Sequence, residues 1–420
     1  MKPETVFEIL DQVDYEYARS GPPADFPDLP RIPAARHFDP DFFELEMAAI
    51  RKCWVIVGTV HEWPENGSYK VVDRWGTASI IVVRGDDGEL RAFYNTCQHR
   101  GAPITREECG RVNKLRCQWH SWQYALDGTL VNIPGRRDFH DDLDVDSVRL
   151  NQVGCQVWRG FVFVNLDPDA PDLVDWLGPV ADQAVWFDGL RTAAKSELVL
   201  NCNWKICIEA NIEVYHVTTV HPTTVARGLD YRGSAHELYD TGHSRMIVPR
   251  LNYDAEATRK AAEDGDAFDA LVNNSNVSFL LFPFHLTPSG SQGMTLQTFW
   301  PLDVDKTLLE WWTMVPDWGE GDPPAWTQER NDYFDEVMDE DTESNEPVQR
   351  SLQAGAFPGI LTSYHERRIY HHEAAVDRLI GIDRVPEELR VPPLLDHYIV
   401  DRPGYDREPD RLSPDGAEAG

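Results

Sequence analysis

The chain has 420 residues, enough for two domains, and 26% of them are charged. Its formal net charge of −32 argues against nucleic acid as a partner, since phosphate binding draws on basic patches. No segment approaches the eighteen apolar residues a membrane span requires, and the start Met1-Lys2-Pro3-Glu4 lacks a charged-then-apolar secretion signal. Of the seven cysteines, Cys53, Cys109, Cys155, Cys202 and Cys207 read as ordinary thiols of a reducing compartment, so a cytoplasmic location is expected.

In chain order, a Pro-rich stretch covers residues 1–45. Residues 80–83 and 90–93 flank Asp86-Asp87-Gly88, which predicts a strand–turn–strand hairpin. Asp127-Gly128 marks another turn. Between these turns stand Cys97-Gln98-His99-Arg100 and Cys117-Gln118-Trp119-His120, with seventeen residues from Arg100 to Arg116 separating His99 from Cys117. Two short Cys/His loops of this kind suit a Rieske [2Fe–2S] cluster, where two thiolates hold one iron and two imidazoles the other. The alternative is a Cys2His2 structural zinc site, although zinc modules usually separate their first pair by two to four residues. Between Cys97 and Arg137 seven basic residues (Arg100, Arg106, Arg111, Lys114, Arg116, Arg136, Arg137) face three acidic ones (Glu107, Glu108, Asp127). This locally positive region in an acidic chain suits docking of an acidic electron donor.

Further along, Asn203 is a candidate N-cap for a helix following strand-like residues 197–200. Trp204, Ile208, Ile212 and Tyr215 recur at helical spacing as an apolar stripe, with Glu209, Glu213 and His216 on a neighbouring one. His216 and His221, five apart, would not share one face of a regular helix. A widening, or an end near Thr218, would let both rings meet one ion. Two histidines and a carboxylate from elsewhere make the facial triad of non-haem Fe(II) oxygenases.

Residues 254–270 read as a surface helix or lid, 317–324 as a loop and 366–379 as an amphipathic helix. Apolar strands are predicted at 277–284, 294–300 and 308–315, and little core-forming sequence remains after Asp401. Trp204, Trp300, Trp311 and Trp312 are candidates for an aromatic cage around a quaternary ammonium group, or for core packing.

The stretches Cys97-Gln98-His99-Arg100-Gly101-Ala102-Pro103 and Cys117-Gln118-Trp119-His120-Ser121-Trp122-Gln123-Tyr124 closely resemble the Rieske domain of the Rieske non-haem iron oxygenases, aromatic ring-hydroxylating alpha subunits among them. Glu213-Val214-Tyr215-His216 followed by His221-Pro222 looks more like the choline, carnitine and glycine-betaine monooxygenases, since many ring-dihydroxylating members carry aspartate at the position of Glu213.

The resemblance implies an α+β chain, with an all-β Rieske domain inserted before a helix-grip catalytic domain built on an antiparallel sheet. Its expected parts are an N-terminal segment 1–45 packed on the catalytic domain, a Rieske domain 46–166, a catalytic domain 167–400 and a tail 401–420. It implies a [2Fe–2S] cluster on Cys97, His99, Cys117 and His120, and mononuclear Fe(II) on His216, His221 and a carboxylate. Matching Asp339-Glu340-Asp341 through Val348-Gln349-Arg350 to the family's acidic pair carries that carboxylate onto Asp341, with Asp339 the competitor; Asp341 is expected at the start of a helix. Glu213 would bridge His216 to His120 of a neighbouring subunit.

The implied activity is that of a terminal oxygenase, performing O2-dependent hydroxylation or oxidative demethylation of a small organic substrate. Its electrons would come from NAD(P)H through a reductase or ferredoxin. Ring cis-dihydroxylation with a β subunit, and an electron-carrier or ligand-binding module without iron catalysis, are the alternatives. A homotrimer is implied.

Overall fold

The computed structural model describes residues 1–75 and 78–401. The proposed tail from 402 onward lies outside these residues. The chain divides into two compact units: Met1–Ile50 with the chain from Leu177 onward, and Arg51–Trp176 between them. The boundaries lie five and ten residues after those expected. The Pro40–Ile50 helix goes with the first unit because it packs on the Arg367–Ile380 helix. The segment after Leu166 stays with the second, where Trp54 Nε1 donates to the carbonyl of Pro171 at 3.0 Å and Leu173 N donates to Gln156 Oε1 at 3.0 Å.

The Arg51–Trp176 unit is built of antiparallel strands. Seven form one sheet in the order Val55–Thr59, Phe161–Asn165, Gln152–Trp158, Leu90–Tyr94, Ala78–Arg84, Ser68–Trp75, Cys109–Arg111, and three short ones form a second sheet. The expected hairpin is there, with Ile81 opposite Phe93 and the turn closed by Gly85 N donating to Glu89 O at 2.8 Å. Gly88 and Gly128 both take φ of +86°, which turns at Asp-Gly require. Alternating residues of these strands bury Ile81, Val83 and Phe93 in one core with Leu115, Trp122, Tyr124, Cys97 and Cys117.

The other unit is centred on an eight-stranded antiparallel sheet. Its main path runs Leu190–Leu200, Lys306–Pro316, Gly293–Asp303, His285–Leu286, Ser275–Leu281, Ser244–Pro249, Ala235–Leu238. The Trp204–Asn211 helix packs on Gly293–Asp303, and the Trp326–Thr342 helix on the two neighbouring long strands. Antiparallel sheet with helices laid on it is the α+β arrangement expected.

Two predicted helices differ in character. Residues 254–270 form parts of two helices, Ala255–Asp264 and Ala267–Asn274. The helix predicted at 366–379 forms as Arg367–Ile380 but is not amphipathic in its packing: Arg367, Arg368, His371, His372, Glu373 and Asp377 are all buried. Its charges are matched from within. Arg36 donates to Glu373 at 2.5 Å and to Asp377 at 2.7 Å, and Lys205 pairs with Glu46 and donates to the carbonyl of Arg36 at 2.7 Å. His37 Nε2 meets Glu209 Oε1 at 2.9 Å. His37, Glu209 and Glu373 thus bring three potential ligand atoms within 4.8 Å, but Arg36 and Lys205 already supply the cations. This network ties the N-terminal segment to the root of the Trp204–Asn211 helix.

Candidate cluster and metal centres

Cys97 and Cys117 open two loops with the same backbone pattern. Cys97 N donates to Ala102 O at 2.8 Å and Gly101 N to Cys97 O at 2.9 Å; Cys117 N donates to Trp122 O at 2.9 Å and Ser121 N to Cys117 O at 3.1 Å. The fourth residue after each cysteine has positive φ, +74° at Gly101 and +63° at Ser121. Both thiols are buried, and the two interact with each other, which together with burial raises the pKa of Cys97. The imidazoles of His99 and His120 lie 4.6 Å apart between centroids, and His99 stacks on Trp122 at 4.9 Å. Burial and the neighbouring His120 and Arg100 lower the pKa of His99, so its ring is held neutral as a ligand must be. His99 Nδ1 is buried without a hydrogen-bond partner among the described residues. Two adjacent thiols, two adjacent imidazoles and an orphaned buried ring nitrogen fit a [2Fe–2S] cluster held at the loop tips. Tyr124 Oη sits 3.3 Å from Cys97 Sγ and accepts from Gln98 N at 3.0 Å.

The second centre is built on a helix that stops early. Asn203 caps Trp204–Asn211, its side chain accepting from Lys205 N at 3.0 Å. Gln349, from the matched Val348-Gln349-Arg350 segment, accepts from Asn203 N at 2.7 Å and donates to His37 O at 3.1 Å. The helix ends at Asn211, seven residues before the expected point, and a separate turn Val217–Val220 follows. Glu213 causes the break by accepting from the backbone N of both Tyr215 and His216, which competes with helix continuation. Tyr215 is therefore not part of the buried stripe; it is 61% exposed, whereas Trp204, Ile208 and Ile212 are buried.

The break turns His216 and His221 toward each other and toward Asp341. Asp341 Oδ1 lies 2.8 Å from His221 Nε2 and 3.4 Å from His216 Nε2. One ligand atom from each of the three falls within 4.8 Å of the others. The opposite ring nitrogens are also taken: Glu213 pairs with His216 Nδ1, and Glu340 Oε2 lies 2.7 Å from His221 Nδ1 while accepting from Thr224 Oγ1 at 2.5 Å. Each ring thus turns one nitrogen to an outer carboxylate and its Nε2 to the centre, the arrangement that fixes metal-ligating histidines.

The electrostatics call for a cation. Burial would depress the pKa of His216, but hydrogen bonds to Asp341 and Glu213 push it up to about 10. Burial likewise opposes Asp341, and the two imidazoles reverse it, holding its carboxyl below the usual range. A dication at the centre fits this donor set.

Asp341 ends the Trp326–Thr342 helix and does not begin one, correcting the expectation. A carboxylate at a helix C-terminus is disfavoured by the macrodipole, so the two imidazoles compensate an otherwise costly placement. Asp339 makes no such approach to the histidines. Glu340 was missed in the sequence; its place between two matched aspartates was the available signal.

The triad opens into a cavity of about 610 Å³. Its walls include Val214, Val217, Met246 and Val248, which share one apolar cluster. Residues 254–270, expected as a surface helix or lid, contribute nothing to the wall; the Trp326–Thr342 helix forms part of it, from Trp326 and Arg330 through Phe334 and Met338 to Asp341. The four proposed cage tryptophans are not in the lining. Trp204 is core, packed near Phe284 and His372, while Trp311 Nε1 donates to Asp335 at 2.7 Å and Lys195 lies 3.8 Å from the Trp312 ring centre. Trp300 donates to Glu310.

A paired-loop cluster site in one unit and a two-histidine, one-carboxylate centre in the other define a Rieske-type non-haem iron protein. Residues 53–149 match the Rieske [2Fe-2S] domain and residues 187–382 the catalytic domain of the ring hydroxylating alpha subunit, so the chain joins a Rieske domain to a catalytic domain of that kind. Glycine betaine monooxygenase oxygenase subunit of Chromohalobacter salexigens is 37% identical over 203 residues, 48% of this chain and 45% of that protein. Anthranilate 1,2-dioxygenase large subunit of Acinetobacter baylyi is 36% identical over 200 residues, 46% and 42% respectively. The match thus spans less than half the length of either relative. The crystal structure of the quaternary ammonium Rieske monooxygenase CntA with L-carnitine superposes with a TM-score of 0.69 at 22% identity, covering 85% of this chain and 99% of that one, and shares the fold. No helix among the described residues is long and apolar enough to cross a membrane.

Proposed function

We propose that this chain is the terminal oxygenase of a multicomponent Rieske system, performing O2-dependent monooxygenation, either hydroxylation or oxidative demethylation, of a small organic substrate. The single observation that carries this reading is the convergence of His216, His221 and Asp341 at the wall of a cavity, in a chain that also bears a Rieske domain. Cys97, His99, Cys117 and His120 would hold the cluster, and His216, His221 and Asp341 the Fe(II). Bound iron would supply O2 activation. Glu213 and Glu340 orient the two imidazoles, and Val214, Val217, Met246 and Val248 offer the substrate an apolar surface.

Electrons would come from NAD(P)H through a ferredoxin or reductase docking on the basic face near Arg111 and Lys114; reversing those two charges should slow reduction and flatten its salt dependence. In a homotrimer Glu213 would pass electrons from a neighbour's His120, and the chain would work in the cytoplasm. Glycine betaine and L-carnitine, named for two of the similar proteins, support a methylated-ammonium substrate, and Trp326, Tyr333 and Phe334 are the rings that could meet one.

Elemental analysis tests the reading: about three iron atoms per chain with a Rieske spectrum are expected, whereas about two would mean an electron carrier. Labelled O2 then separates monooxygenation from cis-dihydroxylation by one incorporated oxygen atom against two.

A further inference from the structure

Arg330 has no hydrogen bond or ion pair among the described residues, although it lines the cavity and its Nε is buried. Every other cavity-lining charge has a role or a partner nearby, or stands in solvent. Glu213 and Asp341 hold the histidines, Arg250 Nε donates to Asn273 O at 3.0 Å, and Glu329 is exposed. Partial burial lowers the pKa of Arg330, and no anion among the described residues pairs with its guanidinium. A half-buried guanidinium without a partner in a cavity wall is a site for an anion, because its planar fork matches a carboxylate in a two-bond geometry.

The helix sets the distance to the reactive end. Arg330, Phe334, Val337, Met338 and Asp341 line the cavity from one helix, and eleven residues at the helical rise separate Arg330 from Asp341 by about 16 Å along its axis. Between them the wall is apolar.

We infer that the substrate is an elongated organic acid, its carboxylate on Arg330 and its apolar body extending along the Trp326–Thr342 helix to the triad. This rests on the proposed oxygenase reading but departs from its methylated-ammonium substrate, keeping only the carboxylate that glycine betaine and L-carnitine also carry.

The test uses the iron- and cluster-loaded protein and equilibrium dialysis with hexanoate, octanoate, decanoate and 4-phenylbutanoate, each against its primary amide. The acids are expected to bind about ten-fold or more tighter than their amides, with affinity rising from hexanoate to decanoate. In Arg330→Met the preference for acids should vanish while amide binding persists, and Arg330→Lys should keep part of it. Equal affinity for acid and amide, no acid binding at all, or an undiminished preference in Arg330→Met would each overturn the inference. Iron content and O2 uptake, measured on the same protein, report on the oxygenase reading separately: a chain that consumes O2 without preferring acids sinks only the substrate class.

Discussion

Glu340 and Asp341, neighbours in sequence, grip opposite nitrogens of the His221 ring, at 2.7 Å on Nδ1 and 2.8 Å on Nε2. Consecutive helical residues point about 100° apart, so both reach one imidazole only because His221 stands against the last turn of the helix. Asp341 faces the metal position, and Glu340 sets the ring's tautomer.

Glu340→Gln should therefore weaken iron retention by about 10- to 100-fold while leaving the fold and the cluster intact. Competition with a chelator, read by iron content against cluster absorbance, checks this. Unchanged retention would mean the carboxylate only decorates the surface.

At the other centre, Tyr124 Oη stands 3.3 Å from Cys97 Sγ. A donor to a cluster sulfur favours the reduced, more negative state. Tyr124→Phe is expected to lower the reduction potential by several tens of millivolts, since about 1.4 kcal/mol corresponds to about 60 mV for one electron. Redox titration followed by circular dichroism would measure it.

Arg36 is wholly buried between Glu373 and Asp377. Arg36→Met leaves two carboxylates without their cation, at a cost of about 3–5 kcal/mol. The thermal midpoint should fall by about 10 °C, and calorimetry would show it. A companion Arg36→Lys, which keeps the charge, should recover part of the loss.

His285 and His372 are fully buried, and burial lowers their pKa values to about 3 and about 4. Their folded pKa values lie below the unfolded value of about 6.5, so their contribution to stability is complete above that pH and is lost as the pH falls toward 4. Each should remove about 1.4 kcal/mol of stability per pH unit in this window. Urea unfolding at pH 7, 6 and 5 should give a declining free energy, and His285→Gln should reduce the slope. A flat profile would refute the assignment.

The cluster loops were legible because ligand spacing is local: Cys97 and His99, or Cys117 and His120, meet an ion wherever their loops lie. The histidine pair was legible for the same reason, but the helix end was not, because Glu213 breaks it through hydrogen bonds that no periodicity records. Asp341 was reachable only through the family match. The acidic run from Asp339 reads like a helix start, and its true place at a helix end depends on His216 and His221, more than a hundred residues away. The tryptophans were open between an aromatic cage and core packing, and the structure packs them in the core. Trp300, Trp311 and Trp312 sit in strands whose indole nitrogens or ring faces already have partners, and sequence does not reveal which side of a sheet will be enclosed. The 366–379 segment looked amphipathic because its charges were counted as surface, whereas Arg36 and Lys205 balance a buried set.

One helix, Trp326–Thr342, carries both the last metal-facing carboxylate and the wall along which a substrate would lie. An ion bound at the triad would add to the two imidazoles in holding Asp341 at an electrostatically unfavourable helix end, and so would stiffen the last turn of the chamber wall. Iron-poor preparations would then bind substrate weakly for a mechanical reason, and a compound's failure to bind such material would say nothing about its chemistry.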